Sequence, residues 1–281
     1  MLAILGILGV TMSAIFLIDS DEETETDTGE NAPEDEHEAD DDIVTIGDLV
    51  DTMDDDMIVF SGDADDSIIG GSGDDYIDGQ DGDDNIFGSA GNDTLHGGAG
   101  DDYLDGGDGH DNLFGHIGDD VIIGNAGDDN LNGGSGDDQL RGGDGDDQLL
   151  GSMGNDILIG GAGADTLHGG AGDDILEDTS DDTRDFLNGG AGDDRLAGGT
   201  GDILNGGTGA DTFALTSSSD AIIEDFSEGE DRLEISYTGT PPVLSTAVSD
   251  GGLVLLADGV PVATLVNISS LDLSAVTLVA A

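Results

Sequence analysis

The residues best placed to do chemistry are aspartates that recur every nine positions beside glycine. From Gly70 to Glu177 twelve nine-residue units follow one another without an insertion; each has Gly at its first and fourth positions and Asp at its sixth. The sixth-position carboxylates are Asp75, Asp84, Asp93, Asp102, Asp111, Asp120, Asp129, Asp138, Asp147, Asp156, Asp165 and Asp174. A row of carboxylates among backbone carbonyls, with no thiol and with scattered imidazoles, offers oxygen ligands to a hard cation of flexible coordination. Magnesium demands a tighter octahedron and holds its water, so calcium is the better fit.

Charge makes the same demand. The 281 residues carry 66 Asp and Glu against 4 Lys and Arg, a formal net charge of -62. The cations are Arg141, Arg184, Arg195 and Arg232; lysine is absent, which excludes Schiff-base chemistry, a phosphate-loop lysine and lysine acylation. Nucleic acid is excluded as a partner. With no cysteine there is no disulfide framework, zinc-thiolate site or iron-sulfur site. Glycine-rich turns lose much backbone freedom on folding, and adjacent carboxylates repel, so cation binding and folding are expected to be one event.

The elements that must hold these carboxylates follow from the period. The eighth position is aliphatic in all twelve units, from Ile77 and Ile86 to Leu167 and Leu176. A period of nine suits neither a helix nor a sandwich strand. The first six residues of a unit read as a turn and the last three as a short strand whose middle residue points inward. Two units then make one coil of about 18 residues, and six coils stacked at about 4.8 Å make a rod of roughly 29 Å. With one ion held between successive turns, the array offers about one site per repeat.

The unit G-G-x-G-x-D-x-U-x resembles that of the RTX (repeats-in-toxin) family over residues 61–214. The resemblance implies an all-β fold, a right-handed parallel β-roll with two nonapeptides per coil, in which the sixth-position Asp and turn carbonyls hold Ca²⁺. It carries the metal role to the twelve aspartates above. At the frayed ends it also reaches Asp66, in a unit where Ala64 replaces the fourth glycine, and Asp185, in the 11-residue stretch DTSDDTRDFLN. Asp194 and Asp211 follow, while Asp202 is left open because its unit is one residue short. The second glycine is replaced at Gln80, Ser89, His116, Asn125 and Ser152.

Competing motifs fail on particular residues. Asp81 to Asn85 open like an EF-hand loop, but Ile86 and Asn92 stand where Gly and Glu are required. His37-Glu38 opens like a zinc-protease motif whose second histidine is replaced by Asp41. No G-x-S-x-G turn is present, so no enzyme is expected. The alternative is an RTX-type secreted hydrolase or toxin-related protein with an unrecognised active region. A pore-forming toxin is disfavoured by the single apolar run and the missing lysine, and ice binding by a third-position series, Ser72, Asp81, Ala90, Ala99, Asp108, Ile117, that forms no ladder.

Outside the array, residues 1–18 are an apolar run with the length of one membrane span, read as an anchor or leader and as the sole membrane contact. Residues 19–42 hold 14 acidic side chains in 24 positions and read as a disordered linker. Residues 43–60 are taken as an N-terminal cap and 215–281 as a small β cap. The C-terminal zone resembles that of RTX exporters in GADTF (209–213), in I-x-D-F-x-x-G-x-D from Ile223 to Asp231 and in the closing LDLSAVTLVAA. The resemblance implies an uncleaved signal for a type I secretion exporter.

Alternate units share a side. One side presents Phe87, Tyr103, Val121, Ile123, Ile157, Ile159 and Ile175, and is expected to be covered by the C-terminal segment, another copy of the chain or a partner, most simply by the first. The other presents Tyr76, Thr94, Asn112, Asn130, Gln148 and Thr166 with His96 and His168; the five histidines read as solvated. Together these features predict a secreted or surface-attached bacterial protein that folds on binding calcium outside the cell. Its role would be structural, adhesive or interactive toward a cell-surface or matrix partner.

Overall fold

The computed structural model describes residues 15–17, 56–179 and 181–281. Strands β2 (Ile58–Gly62) to β19 (Thr212–Thr216) alternate between two parallel sheets, so strands two apart in sequence are hydrogen-bonded neighbours. This is a parallel β-solenoid with one strand of each sheet per coil. The register repeats every 18 residues: Ile77 lies beside Leu95, Leu95 beside Leu113, and Leu113 beside Leu131. In the facing sheet Ile86 lies beside Leu104 and Leu104 beside Ile122.

The eighth-position side chains fill the narrow space between the sheets and are fully buried, because alternation turns the seventh and ninth positions outward. Leu131 is stacked between Leu113 and Leu149, so Leu131→Ala leaves a hole that the neighbouring coils cannot close without breaking register. A loss of about 2–5 kcal/mol is expected, measured as a shift of the urea midpoint.

The strands are longer than the period alone predicts. Tyr76–Asp81 and its counterparts run from the seventh position of one unit through the third of the next, leaving only the fourth to sixth residues as turn. The physical reason lies at the first position, whose glycine faces inward. A Cβ built on Gly88 would lie 2.6 Å from the carbonyl oxygen of Gly106, so the backbone itself closes the coil there. The turns stack as well: Gly73 N–H donates to Ala90 O at 3.0 Å and Asn85 N–H to Asp66 O at 2.8 Å.

Insertions are absorbed in the turns. The 11-residue stretch lengthens one coil, so Thr166 pairs with Phe186 instead of a residue 18 positions on. The short unit then shortens another, so Phe186 pairs with Ile203. Leu167, Leu187 and Leu204 remain in one buried row throughout.

Beyond Thr216 the chain extends both sheets. In one, β20 (Ala221–Ile223) leads to the antiparallel ribbon β24 (Val260–Leu265), β23 (Gly252–Ala257) and β22 (Leu244–Ser249). In the other, β21 (Arg232–Tyr237) pairs with β25 (Thr277–Ala280). Residues 215–281 therefore continue the end of the rod and do not fold back over its side. Ile157 and Ile159 are each 38% exposed, which corrects the expectation that the C-terminal segment covers the apolar face. The segment cannot do both, because its strands are engaged edge to edge with the last coils.

Residues 19–42 lie outside the described residues. Of the apolar run 1–18, only the backbone of Ile15–Leu17 is described, as strand β1 parallel to Ile58–Phe60. Among the described residues no helix is long and apolar enough to cross a membrane.

Candidate metal centre

Each turn places two adjacent acidic residues in opposite surroundings. The sixth-position carboxylate points into the coil. Asp66, Asp75, Asp84, Asp93, Asp102, Asp111, Asp120, Asp129, Asp138, Asp147, Asp156, Asp165, Asp174, Asp185, Asp194 and Asp211 are all buried. Its Oδ1 accepts the backbone N–H of the sixth-position Asp one coil earlier: Asp93 N–H donates to Asp111 Oδ1 at 2.8 Å, and Asp111 N–H to Asp129 Oδ1 at 2.8 Å. The same ladder runs from Asp66, which donates to Asp84, through to Asp194, which donates to Asp211 at 3.0 Å.

The second oxygen is the informative one. Oδ2 is buried without a hydrogen-bond partner in thirteen of the sixteen, from Asp75 to Asp174 and again at Asp194. It lies beside the first-position glycine of its own unit, in a space shared with the carbonyl of the glycine one coil on. A Cβ on Gly70 would collide with Asp75 Oδ2 and approach Gly88 O to 2.8 Å. Leaving an ionised carboxylate oxygen orphaned in a protein interior is costly. Orphaned carboxylate and carbonyl oxygens around a pocket without side chains are a donor set for a hard cation, so the residues present fit calcium.

Electrostatics agree. Burial is the main cause that raises these carboxyls, with neighbouring carboxylates adding to it and the ladder hydrogen bond opposing it. Asp84, Asp93, Asp102, Asp138, Asp147 and Asp174 are pushed up to about 7. Asp120, Asp129, Asp194 and Asp211 are raised to about 6. A row of such groups needs positive charge to stay ionised, and the described residues supply no arginine to it. Arg195 pairs with Glu234 at 2.8 Å, and Arg184 donates to Gly201 O.

The fifth-position residue does different work, which the spacing alone did not single out. Its exposed side chain accepts the N–H of the fifth position one coil later: Asp101 N–H donates to Asp83 Oδ1, and Asp119 N–H to Asp101 Oδ1, both at 2.9 Å. This ladder runs opposite to the buried one. It accounts for Asn92, Asn155 and His110 in that position, since each offers an acceptor; Asp128 N–H donates to His110 Nδ1 at 2.7 Å. The recurrence of Asp or Asn at the fifth place was the available signal. His96 is likewise not merely solvated, because its ring stacks on Phe114 with centroids 4.8 Å apart.

Two further carboxylates extend the ladder, and a third lies beside it. Asp202, left open by the sequence, accepts from Asp185 N–H at 3.1 Å. Asp231 accepts from Asp211 N–H at 3.1 Å, so the I-x-D-F-x-x-G-x-D stretch adds one more rung, while its Asp225 accepts from Gly206 and Gly207. Asp178 is buried where every uninterrupted unit has its first glycine.

No curated protein matches the chain. Among solved structures it is similar to the extracellular lipase LipA from Serratia marcescens, with 20% identity and a TM-score of 0.26 over 72% of this chain and 41% of the lipase chain. This chain therefore spans less than half the length of that protein. The family profile of the RTX calcium-binding nonapeptide repeat, taken four copies at a time, matches residues 60–95, 78–113, 87–122, 114–149, 150–177 and 179–213, more than half of the chain. The matched residues are those that build the stacked turns and the buried carboxylate row, and with fold, site and profile coinciding the chain belongs to the RTX calcium-binding nonapeptide repeat family.

Proposed function

We propose that the protein is a secreted or cell-surface calcium-dependent rod that is unfolded where calcium is scarce and folds outside the cell. The observation that carries this is the row of buried, unpartnered Oδ2 atoms from Asp75 to Asp174. In this reading each ion is held by the sixth-position carboxylate, from Asp66 to Asp211, together with turn carbonyls. When bound, calcium supplies the positive charge that lets the stacked carboxylates remain ionised. The protein's own part is to hold one oxygen of each in the ladder while leaving the other free.

A chain of net charge -62 repels itself when calcium is low, which suits passage through a type I exporter guided by the C-terminal zone. Residues 1–18 would then be an anchor or leader. The folded rod acts by interaction: Tyr103, Ile123 and Ile159 line a groove with Arg141 and Asp105, and this apolar side suits a surface or matrix partner. The family relation and the absence of a catalytic motif in the sequence support a structural or adhesive role over an enzymatic one.

The test is far-UV circular dichroism of residues 43–281 during calcium titration. A cooperative coil-to-β transition between sub-millimolar and millimolar calcium is expected, absent with magnesium at the same concentrations. A full β signal in chelator would refute the coupling of folding to calcium.

A further inference from the structure

The unit after Glu177 opens on Asp178 where each uninterrupted unit opens on glycine. Asp178 ends the strand Ile175–Asp178, and its side chain is turned inward, 2% exposed. Its Oδ2 meets no N–H or hydroxyl donor, and neither does Oδ2 of Asp165; the two carboxyls approach each other closely enough to share a proton when no ion is bound. Both atoms enter the cradle beside Gly160: a Cβ there would collide with Asp178 Oδ2 and lie 2.7 Å from Asp165 Oδ2. An ordinary turn presents a backbone carbonyl at that place instead.

Asp185 completes the group. One carboxylate oxygen from each of Asp165, Asp178 and Asp185 lies within 4.8 Å of the others, and all three residues are buried. Asp185 Oδ1 is held by Asp165 N–H at 2.9 Å, which fixes the third carboxylate against the first. Asp202 adjoins, but both of its oxygens are already engaged by the N–H groups of Asp185 and Gly199. Among the described residues no other group of three such side chains comes together in this way.

We propose that Asp165, Asp178 and Asp185 form a three-carboxylate site for a single hard cation, distinct from the ordinary repeat turns, which fills before them. The reason is ligand charge. Oxygen sites for calcium gain affinity with the number of carboxylates they present and with their rigidity, and here three buried carboxylates converge where an ordinary turn offers carboxylate and carbonyl. The location adds a consequence. The site bridges the coil that the 11-residue stretch enlarges, so an ion there fastens the coils after Phe186 to those before Asp178. The ordinary turns enter this proposal only as the comparison.

The experiment is a terbium titration of the full chain at neutral pH, read by directly excited luminescence and its lifetimes in H₂O and D₂O, followed by calcium competition. In the wild type one equivalent should bind at a concentration at least roughly tenfold below the rest, with few waters on the ion. Asp178→Gly, which restores the repeat residue, should remove that class and keep the weaker ones; Asp111→Asn should keep it. Asp178→Asn, of nearly the same shape, should behave like Asp178→Gly and covers the case in which the glycine variant does not fold. A wild type with a single class of sites, or a tight class that survives both Asp178 substitutions, overturns the proposal while leaving calcium binding by the repeats intact. A wild type that binds no cation would overturn both.

Discussion

Gly118→Ala is expected to abolish the cooperative calcium-driven transition or to raise its midpoint at least tenfold, although it adds a single methyl group. Gly118 is a fourth-position glycine with φ +137, a conformation that side chains rarely adopt. Its Cβ would overlap the carbonyl oxygen of Gly100 in the preceding coil. Relief by local shift is blocked on the other side, because Gly118 N–H donates to Ser135 O at 2.9 Å in the next coil. Backbone strain and overlap together put the cost at about 3 kcal/mol or more, at the level of the most damaging single substitutions.

The contrast is the second position. There φ closes from +113 at Gly134 to +79 at His116 and Asn125 and +85 at Ser152, a left-handed geometry that asparagine tolerates. A Cβ on Gly134 also meets the carbonyl oxygen of His116, but closing φ as at Asn125 relieves that approach, so Gly134→Asn should raise the calcium midpoint far less than Gly118→Ala does. Circular dichroism titrations of the two variants side by side decide the matter. Equal damage at both positions would mean that coil stacking, and not fourth-position crowding, sets the requirement.

The second large effect concerns pH. In the calcium-free protein the folded-state carboxyls of Asp84, Asp93, Asp102, Asp138, Asp147 and Asp174 are raised from 3.8 to about 7, chiefly by burial. Between those two values the folded state binds more protons than the unfolded chain, so its stability falls as pH rises. The benefit is complete below 3.8 and lost on passing about 7. Protein stripped of calcium should thus be a coil at pH 8 and gain β structure as the pH is lowered toward 4.5. With calcium present, protons and ions compete for the same oxygens, so the calcium midpoint should rise at least roughly tenfold between pH 8 and pH 5.5. Dichroism against pH in calcium-free buffer, with calcium titrations at the two pH values, measures both. A calcium midpoint unmoved by pH would show that the buried carboxyls are not the ligands.

The unbroken nine-residue period determines that turns recur at a constant interval, and the single aliphatic residue per unit determines which side chain enters the core. Coil size and the two alternating faces follow, because each depends only on spacing along the chain. Even the side of Ile157 and Ile159 was legible from counting units in pairs. Everything that depends on what lies one coil above or below was not. The strands extend through the first three positions because inward glycines let neighbouring backbones close together, a contact between residues 18 apart. The opposed roles of Asp101 and Asp102 emerge only when their partners, Asp83 below and Asp120 above, are in place. Asp178 reads as a broken repeat in the sequence and becomes the partner of Asp165 and Asp185 only through stacking. The C-terminal strands had two surfaces available, the apolar side and the open end of the rod. Tertiary structure decided for the end, where unpaired backbone groups of the last coil make strand pairing stronger than apolar cover.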